Sequence, residues 1–326
     1  MAALKGNLVI GQSGGPTVVI NQSLVGIIME ALKHSEIRNI YGMRNGVEGF
    51  LKEDIINLKK ESKKNLEVVA RTPSSALGSC RYKPKEEDCF KVFEICKKYG
   101  IRYFFYIGGN DSAETSHIIN SIARRENYEL RVFHIPKTID NDLRENDHTP
   151  GFGSAAKYVA SYFMGDNLDN RSLPGIKLNI VMGRHAGFLT AASVLGRVDE
   201  TDGPHLVYVP EFPVSLERMA DDISAVHSKY GRALVAVSEG IKNTDGKVMM
   251  ESQIKEKDSH GNIQLSGSGA LGDFLTDQLK QKLGEKTGKK LRVRADTLGY
   301  GQRHFPGIVS VNDAREAREA GKWGVK

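Results

Sequence analysis

Short runs of apolar residues alternate along this 326-residue chain with longer segments in which apolar residues recur every three or four positions. The runs have the length of buried strands, whereas the longer segments have the period of amphipathic helices. Strands that alternate with helices form parallel sheets with crossover helices, so the pattern predicts a doubly wound α/β architecture. The predicted strands cover residues 8–10, 103–107, 132–135, 176–181 and 234–237.

Glycine-rich or polar sequences follow the predicted strands. They are "GQSGG" from Gly11, "GGNDS" from Gly108, "PKTIDND" from Pro136, "MGRHAG" from Met182 and "SEG" from Ser238. In open α/β sheets ligands bind beyond the carboxyl ends of the strands, so we expect these sequences to line one cleft. The first sequence leads into a predicted helix, whose N-terminal amide groups would attract an anion. That helix is predicted from apolar residues at Ile20, Leu24, Ile27, Ile28 and Ala31.

Two further helices are predicted. One begins at about Asp111, where Asp111 and Glu114 have the spacing of an N-cap and its N3 partner, so capping alone would explain the aspartate. The other covers residues 274–283, inside a polar and glycine-rich stretch at 243–290 that indicates a surface excursion or a domain edge.

The stretch "PKTIDNDL" places Asp140 and Asp142 shortly after Lys137 and directly beyond a predicted strand. Aspartate and asparagine favour turns, because their short side chains bond to nearby backbone, so an ordinary turn is one interpretation. An active site is the other. On this stretch alone the two interpretations are equally supported.

Two short motifs match familiar patterns in the wrong context. Residues 11–15 fit Gly-x-Ser-x-Gly, but a hydrolase needs an oxyanion donor from the loop of an earlier strand, and no strand is predicted before this one. Residues 267–272 fit Gly-x-Gly-x-x-Gly, but residues 262–265 make a poor strand and Asp296 a doubtful ribose partner. We therefore expect neither a serine hydrolase nor a dinucleotide site.

Composition and charge narrow the class of protein. The chain is 40% hydrophobic and 26% charged, and it has neither an apolar run of the ~20 residues that a membrane span needs nor a cleavage pattern at its start, so we expect a cytoplasmic protein without membrane contact. The formal charge of +6 suits anionic partners, and without a long basic run phosphorylated small molecules fit better than nucleic acid.

Three cysteines without a Cys-x-x-Cys pair suggest neither a disulfide framework nor a zinc site. Cys89, Val92, Phe93 and Cys96 share one helical face and are predicted to lie in the core.

The remaining polar residues share one chemical theme. Glycine-rich loops bind anions, carboxylates accept protons and hold cations, and lysines or arginines spread the charge of a transferring phosphoryl group. The carboxylates are Asp111, Asp140 and Asp142, and the cations are Arg81, Lys137, Arg184, Arg294 and Arg303.

The motifs in their order resemble the phosphofructokinase family over nearly the whole chain, and specifically its pyrophosphate-dependent branch. They are "GQSGGPTVVIN", "ALGSCRYK", "YIGGNDS", "PKTIDNDL", "GFGSAA", "VMGRHAG", "VSEG" and "LGYGQR". ATP-using members of the family carry glycine at the positions of Asp111 and Lys137. A glycine leaves room for the α-phosphate of a nucleotide, whereas Asp111 adds bulk and negative charge there and Lys137 adds a positive charge for pyrophosphate.

The resemblance implies an enzyme of glycolysis or gluconeogenesis. Such an enzyme moves phosphate reversibly between pyrophosphate and the 1-hydroxyl of fructose 6-phosphate with Mg²⁺, and it forms a homodimer or homotetramer that binds neither nucleic acid nor membrane. Two alternatives remain open, namely an ATP-dependent 6-phosphofructokinase and a noncatalytic sugar-phosphate-binding or regulatory homologue. The implied fold has two Rossmann-like, mostly parallel lobes. Residues 1–150 would bind the phosphoryl donor, with 304–326 returning to that lobe, and residues 151–303 would bind fructose 6-phosphate.

Residue roles follow from the same resemblance. Asp140 is the base that takes the sugar proton, and Lys137, Thr138, Asp142 and Arg184 complete the catalytic set. The donor contacts implied are Gly14, Gly15, Arg81, Gly109, Asp111 and Ser112. The fructose 6-phosphate contacts implied are Thr138, Asp140, Met182, Gly183, Arg184, Glu239, Arg294, Tyr300 and Arg303, with Arg294 lent across a subunit interface.

Three positions depart from the family's pattern. Asn110 replaces the metal-linked aspartate with a neutral oxygen donor, and Asp111 is expected to compensate as the second metal ligand. Gly175 stands where many ATP-using members have a second interface arginine, which leaves Lys177 nearby. The family's chains also continue well past the position of Lys326 and complete the first lobe with that later segment, so we expect a truncated chain.

Overall fold

Every predicted strand is present in a computed structural model of the protein, which describes residues 4–250 and 269–326. Four of the five are a little longer than predicted, because residues outside the apolar runs continue the pairing with neighbouring strands. The strands described are, in chain order, β1 (Gly6–Gln12), β2 (Ile37–Met43), β3 (Ile55–Asn57), β4 (Ile101–Gly108), β5 (Arg131–Pro136), β6 (Ile176–Val181), β7 (Leu206–Tyr208), β8 (Ala233–Ser238) and β9 (Val293–Thr297).

The helices alternate with these strands. The helix predicted after "GQSGG" spans Ile20–Ala31, and the one predicted over 274–283 is the middle of a longer helix, Ala270–Thr287. The helices described are α1 (Ile20–Ala31), α2 (Gly46–Phe50), α3 (Lys63–Arg71), α4 (Glu86–Lys98), α5 (Asn110–Arg125), α6 (Phe152–Ser172), α7 (Phe188–Ala192), α8 (Leu216–Tyr230), α9 (Ala270–Thr287), α10 (Gly301–His304) and α11 (Val311–Val325). Short 3₁₀ turns lie at Leu58–Lys60, Ser193–Gly196 and Pro306–Ile308.

The chain forms two compact units, each with its own sheet. The first unit contains Met1–Ile139, Leu143–Ser154 and Arg303–Lys326, and the second contains Asp140–Asp142 and Ala155–Gln302. The first sheet has the order β3-β2-β1-β4-β5 and is parallel except for the β2–β3 pair. The second has the order β7-β8-β6-β9 and is parallel throughout. The predicted α/β fold with mostly parallel sheets is thereby confirmed.

Helices cover both faces of the first sheet. Leu8 and Ile10 of β1 pack with α1 on one face, whereas Val9 between them packs on the other face with α2, α4 and α5. This division follows from the two-residue repeat of a strand, which sends successive side chains to opposite faces. Cys89 and Cys96 are fully buried in the second of these layers, so the predicted core face of α4 is confirmed.

The second sheet has one apolar face and one face with a buried polar cluster. Ile176, Leu178 and Ile180 of β6 pack with α8 and α9. Lys177 and Asn179 point the other way, where the carboxylate of Asp166 on α6 accepts hydrogen bonds from both side chains. A polar group that leaves water needs such partners, so this strand alternates in chemistry as well as in direction.

Helix α11 belongs to the first unit and packs along α1. The two helices approach closely at glycines: a Cβ at Gly26 would overlap the carbonyl oxygen of Arg318, and a Cβ at Gly321 would overlap that of Ser23. Arg318 also donates two parallel hydrogen bonds of 2.9 Å to the carboxylate of Glu67 on α3. The first unit is therefore built from both the early and the late parts of the chain.

Four strands were missed because their apolar runs are either interrupted or very short. In β2, Arg38 and Asn39 interrupt the run, and β3 and β7 are only three residues long. Strand β9 carries Arg294 and Asp296 among five residues. Pairing with a longer neighbour holds these segments in place, which a local apolar pattern does not reveal.

Among the described residues, no helix is long and apolar enough to cross a membrane. The Gly-x-Gly-x-x-Gly motif falls partly outside the described residues, as do residues 251–268 of the polar stretch at 243–290.

Candidate functional site

The glycine-rich loop after β1 lies at the point where the first sheet reverses its strand order, between β1 and β4. Gly14 has φ +73°, a left-handed conformation that favours glycine. Its N–H donates to the carbonyl oxygen of Cys80 at 3.0 Å, and its carbonyl accepts from the Ser79 hydroxyl at 2.7 Å. The loop and the segment that carries Arg81 are therefore bonded directly to each other.

Lys137 brings a buried cation to this loop. Its side-chain nitrogen donates to the carbonyl oxygen of Gly15 at 2.6 Å, and the residue is only 3% exposed. The backbone N–H of Lys137 bonds to Gly108 at the end of β4, which fixes the start of the "PKTIDNDL" segment beside the second glycine pair. The structure thus brings together Gly14, Gly15 and Lys137, three residues that the sequence put forward for pyrophosphate.

The first turn of α5 holds two more predicted donor residues, Asp111 and Ser112. The Ser112 hydroxyl donates to the Ser13 hydroxyl at 2.9 Å in the interior, which ties α5 to the glycine-rich loop. The interpretation of Asp111 as an N-cap is wrong, because the N-cap is Gly109 and Asp111 lies inside the helix. A cap must precede the first helical residue, and here the helix already begins at Asn110.

Asp111 instead takes part in an ion cluster with Lys83 and Glu114. The Lys83 nitrogen lies 2.8 Å from a Glu114 oxygen and 3.5 Å from an Asp111 oxygen. All three side chains are about half exposed. The hydrogen bond that Lys83 donates to Glu114 is the main reason that the pKa of Lys83 is raised.

Arg303 and Thr138 also belong to the first unit. A Cβ built on Gly15 would lie 2.7 Å from a guanidinium nitrogen of Arg303, so the arginine sits directly against the glycine-rich loop. The sequence had assigned Arg303 to the fructose 6-phosphate contacts. The carbonyl oxygen of Thr138 accepts from the Thr149 hydroxyl at 2.8 Å. That bond holds the segment after Lys137 against a second part of the chain.

His134 supports the glycines after β4. Its Nε2 lies 2.8 Å from the carbonyl oxygen of Gly108, which requires an N–H on that nitrogen. Burial lowers the pKa of His134, so the neutral ring is favoured.

In the second unit, the sequences after β6 and β8 meet. The N–H of Glu239 bonds to the carbonyl of Val181 at 2.8 Å, and the Ser238 hydroxyl donates to the carbonyl of Gly183 at 2.6 Å. The N–H of Gly183 points to the Glu239 carboxylate at 3.4 Å. Because β6 and β8 are neighbouring parallel strands, the predicted sugar-phosphate residues Met182, Gly183 and Glu239 lie together at their carboxyl ends.

Gln302 links a third segment to this group. Its side chain accepts from the N–H of Met182 at 3.2 Å and donates to the carbonyl of Gly299 at 2.9 Å, which fixes the turn that carries Tyr300. Burial, the largest influence, and then the charge of Arg184 lower the pKa of His185. The charge of Asp142, which also belongs to the second unit, opposes this shift.

Arg294 lies apart from these residues within its own unit. It pairs in register with Lys177 near the start of β6, four positions before the strand's carboxyl end, or about 13 Å along the strand. Lys177 is held inside the unit, where it pairs with Asp166 and, at 2.9 Å, with Asp296. Both of these ion-pair partners of Lys177 lie within its own unit.

Asn110 and Asp111 are the residues that the sequence put forward for a metal. They offer one amide oxygen and one carboxylate from adjacent positions on an exposed first turn. Mg²⁺ is commonly held by one or two carboxylates while phosphate oxygens and water fill its other positions, so this donor set fits a metal that arrives with pyrophosphate. Within residues 4–250 and 269–326, no group of three His, Cys, Asp or Glu side chains forms a metal site.

The sequence did not single out Lys83, the pairing role of Glu114, or Gln302. Lys83 stands two positions after Arg81 in "ALGSCRYK", and Gln302 stands inside "LGYGQR", so both lie in motifs that carried the resemblance. Their partners are distant in the chain, which is why the spacing of residues gave no signal.

Comparison with known proteins agrees with this architecture. The pattern of the family described as "Phosphofructokinase" matches residues 7–320. A pyrophosphate--fructose 6-phosphate 1-phosphotransferase of Rhodospirillum rubrum is 52% identical over 99% of this chain and 79% of its own. A protein of the same name from Halomonas elongata is 36% identical over 98% of this chain and 76% of its own.

A solved structure shows the same fold. The pyrophosphate-dependent phosphofructokinase of Marinobacter aquaeolei superposes with a TM-score of 0.82 at 33% identity, covering 98% of this chain and 75% of that one. The family pattern covers residues of both units. The chain belongs to the phosphofructokinase family.

Proposed function

We propose that this protein transfers a phosphoryl group between pyrophosphate and the 1-hydroxyl of fructose 6-phosphate, giving fructose 1,6-bisphosphate and phosphate in a reversible reaction. The relatives from Rhodospirillum and Halomonas are named for this reaction, and the present chain spans more than three quarters of each.

The observation that carries the choice of donor is the buried ammonium group of Lys137 at the glycine-rich loop. ATP-using members of the family have glycine at this position, as they do at Asp111. An ammonium group has three N–H donors, so Lys137 can bind the carbonyl of Gly15 and a pyrophosphate oxygen together. Its low exposure strengthens the attraction to an anion, because water screens the charge less.

Asp140 is the general base in this proposal. Its carboxylate takes the proton of the 1-hydroxyl while that oxygen attacks the terminal phosphorus of pyrophosphate. The bond between that phosphorus and the bridging oxygen breaks, and phosphate leaves. Lys137 and Arg81 stabilise the negative charge that spreads over the phosphoryl oxygens, and Thr138 and Asp142 hold the reacting groups.

The remaining predicted residues bind the two substrates. The amide groups of the two glycine-rich loops and the first turn of α5 suit the anionic donor. The residues proposed for the donor are Gly14, Gly15, Gly109, Asp111 and Ser112. The residues proposed for fructose 6-phosphate are Met182, Gly183, Arg184, Glu239, Tyr300 and Arg303. Arg294, far from Met182 along its own sheet, is proposed to serve the site of a second subunit, so the active form is a homodimer or homotetramer.

Mg²⁺ is the proposed metal, and Asn110 and Asp111 would hold it together with the phosphoryl donor. When bound, it offsets part of the negative charge on the oxygens of the donor.

A coupled assay for fructose 1,6-bisphosphate tests the proposal. Fructose 6-phosphate and Mg²⁺ are combined with either pyrophosphate or ATP in parallel reactions. We expect product with pyrophosphate alone. Product with ATP alone would refute the assignment of Asp111 and Lys137, and no product with either donor would favour a noncatalytic sugar-phosphate-binding protein.

A further inference from the structure

Lys83 connects two segments that the proposed function places at the phosphoryl donor. It stands two positions after Arg81, and its ammonium group contacts Glu114 at 2.8 Å and Asp111 at 3.5 Å on the first turns of α5. Glu114 is the closer partner and anchors the lysine. Asp111, one turn earlier on the same face of α5, also contacts the ammonium group of Lys83.

The segment around Arg81 is bonded to neighbouring parts of the first unit on both sides of the arginine. Before Arg81, the Ser79 hydroxyl and the Cys80 carbonyl bond to the glycine-rich loop at Gly14. After it, the Tyr82 hydroxyl donates to Asp88 on α4 at 2.5 Å. Among the ion pairs described, the one from Lys83 is the tie that joins this segment to α5. Arg81 therefore lies between a bond to the glycine-rich loop and an ion pair to α5.

The ion pair also offsets negative charge on α5. Asp111 and Glu114 are three positions apart, so their side chains are neighbours on the helix surface and repel each other. They also repel a pyrophosphate anion that approaches the N-terminus of the helix. The positive charge of Lys83 offsets both repulsions, because it lies within 4 Å of each carboxylate.

The ion cluster contributes little to the stability of the fold. Lys83, Asp111 and Glu114 are 45%, 52% and 53% exposed, and ion pairs between exposed side chains stabilise proteins only weakly. Any strong effect of removing Lys83 must therefore arise at the donor site rather than through unfolding.

We propose that Lys83 is a positioning residue for the phosphoryl donor: it holds the segment of Arg81 against α5 and offsets the charge of Asp111 and Glu114, so that pyrophosphate binds. This inference rests on the proposed function. Lys83 touches neither substrate in this proposal and acts through Arg81 and Asp111.

The test compares steady-state kinetics of the protein and its Lys83→Met variant, which keeps most of the length of the side chain and removes the charge. We expect the KM for pyrophosphate to rise about tenfold in Lys83→Met, a loss that corresponds to one displaced charge near an anion. The KM for fructose 6-phosphate and kcat should change less than threefold. Lys83→Arg should restore most of the affinity, because it keeps the charge.

Lys85→Met is the matched control, since Lys85 is an exposed lysine two positions further along the same segment. It should leave the KM for pyrophosphate unchanged. Glu114→Gln removes the anchor of Lys83 together with one of the charges that repel pyrophosphate, so it should raise that KM less than Lys83→Met does. The double variant should be no worse than Lys83→Met, because both changes remove the same ion pair. A KM for pyrophosphate within twofold of the parent in Lys83→Met would overturn the proposal, as would an equal rise in Lys85→Met.

Calorimetric titration with magnesium pyrophosphate separates this inference from the proposed function. If the parent protein fails to turn over pyrophosphate but binds it, the proposed function fails, and weaker binding by Lys83→Met still supports the role of Lys83. Equal binding by parent and Lys83→Met would refute that role even if turnover is normal. A parent protein that does not bind pyrophosphate would refute both.

Discussion

At the scale of single residues, Asp140 carries the proposed chemistry. Replacing it with asparagine keeps the shape of the side chain and removes the group that accepts a proton. We expect Asp140→Asn to lose about 10²- to 10⁴-fold in kcat, the usual contribution of a general base, with the KM for fructose 6-phosphate largely kept. The measurement is the coupled assay at saturating pyrophosphate.

Glu145→Gln provides the control for this change. Glu145 is an exposed carboxylate a few positions later in the chain, and its loss removes the same charge without removing the proposed base. We expect it to keep normal turnover. Near-normal turnover in Asp140→Asn would contradict the assignment of the base.

Lys137 is the residue on which the choice of donor depends. Lys137→Gly removes a buried cation and its 2.6 Å bond to Gly15, so we expect turnover with pyrophosphate to fall severely, by more than 10²-fold in kcat/KM. Lys137→Met keeps the apolar part of the side chain and should fail similarly. Calorimetric binding of fructose 6-phosphate should be unchanged in both, which would separate a donor defect from unfolding. Pyrophosphate use equal to that of the parent in Lys137→Gly would disprove the assignment.

At the scale of secondary-structure elements, the close contact of α1 and α11 determines how well the first unit holds together. Gly26→Ala would place a methyl group on the carbonyl oxygen of Arg318, which is backbone and cannot turn aside. We expect this overpacking to cost about 1–3 kcal/mol of unfolding free energy and to lower the thermal midpoint by roughly 3–10 °C.

Gly165→Ala is the control for that prediction. Gly165 lies inside α6, and a Cβ there would meet nothing within 4 Å. Alanine favours helix over glycine by up to ~1 kcal/mol, so this variant should be neutral or slightly more stable. Equal thermal midpoints for Gly26→Ala and the parent would show that the two helices can separate without cost.

The turn before β7 leads to a prediction about how the thermal midpoint changes at acid pH. The N–H groups of Val198 and then Asp199 donate to the Asp202 carboxylate, and these bonds lower the pKa of Asp202 to about 2. A carboxyl group with a lowered pKa in the folded state stabilises the fold above its ordinary pKa near 4, and it loses that contribution as the pH falls toward 2. We therefore expect part of the acid sensitivity of the thermal midpoint between pH 4 and pH 2 to come from Asp202.

Asp202→Asn should be less stable at pH 7 and should change less in thermal midpoint between pH 4 and pH 2. Glu200→Gln, at an exposed position in the same turn, should follow the parent across this range. An acid profile of Asp202→Asn that parallels the parent would show that another group is responsible.

At the scale of the whole molecule, the sequence predicted the fold class and the central strands because these have strong local signals. β1, β4, β5, β6 and β8 are apolar runs followed by glycine or polar residues, and each was identified. β2 and β9 were not, since charged residues such as Arg38 and Arg294 break their runs and only pairing with a neighbour defines them.

The residues of the candidate site were likewise identified only where the sequence contains a local signal for them. Lys137 and Asp111 were identified because they lie inside family motifs and differ from the ATP-using members. Lys83 and Gln302 bond to partners that lie far away in the chain, Glu114 and Met182 respectively. Contacts of this kind depend on the fold as a whole, so a single sequence without its structure contains no local sign of them.

The route of the chain through its two units has a consequence for the order of folding during synthesis. The second unit is almost one continuous stretch, Ala155–Gln302, so all but three of its residues leave the ribosome in succession. The first unit begins earlier but needs α11, whose Gly321 packs against Ser23 from the start of the chain. A nascent chain that has just exposed Gln302 contains every residue of the later-starting unit and still lacks a helix of the earlier one. The unit that starts first is therefore the one that is completed last. Until α11 is synthesised, the surface of α1 that α11 covers stays exposed unless another protein or segment binds there.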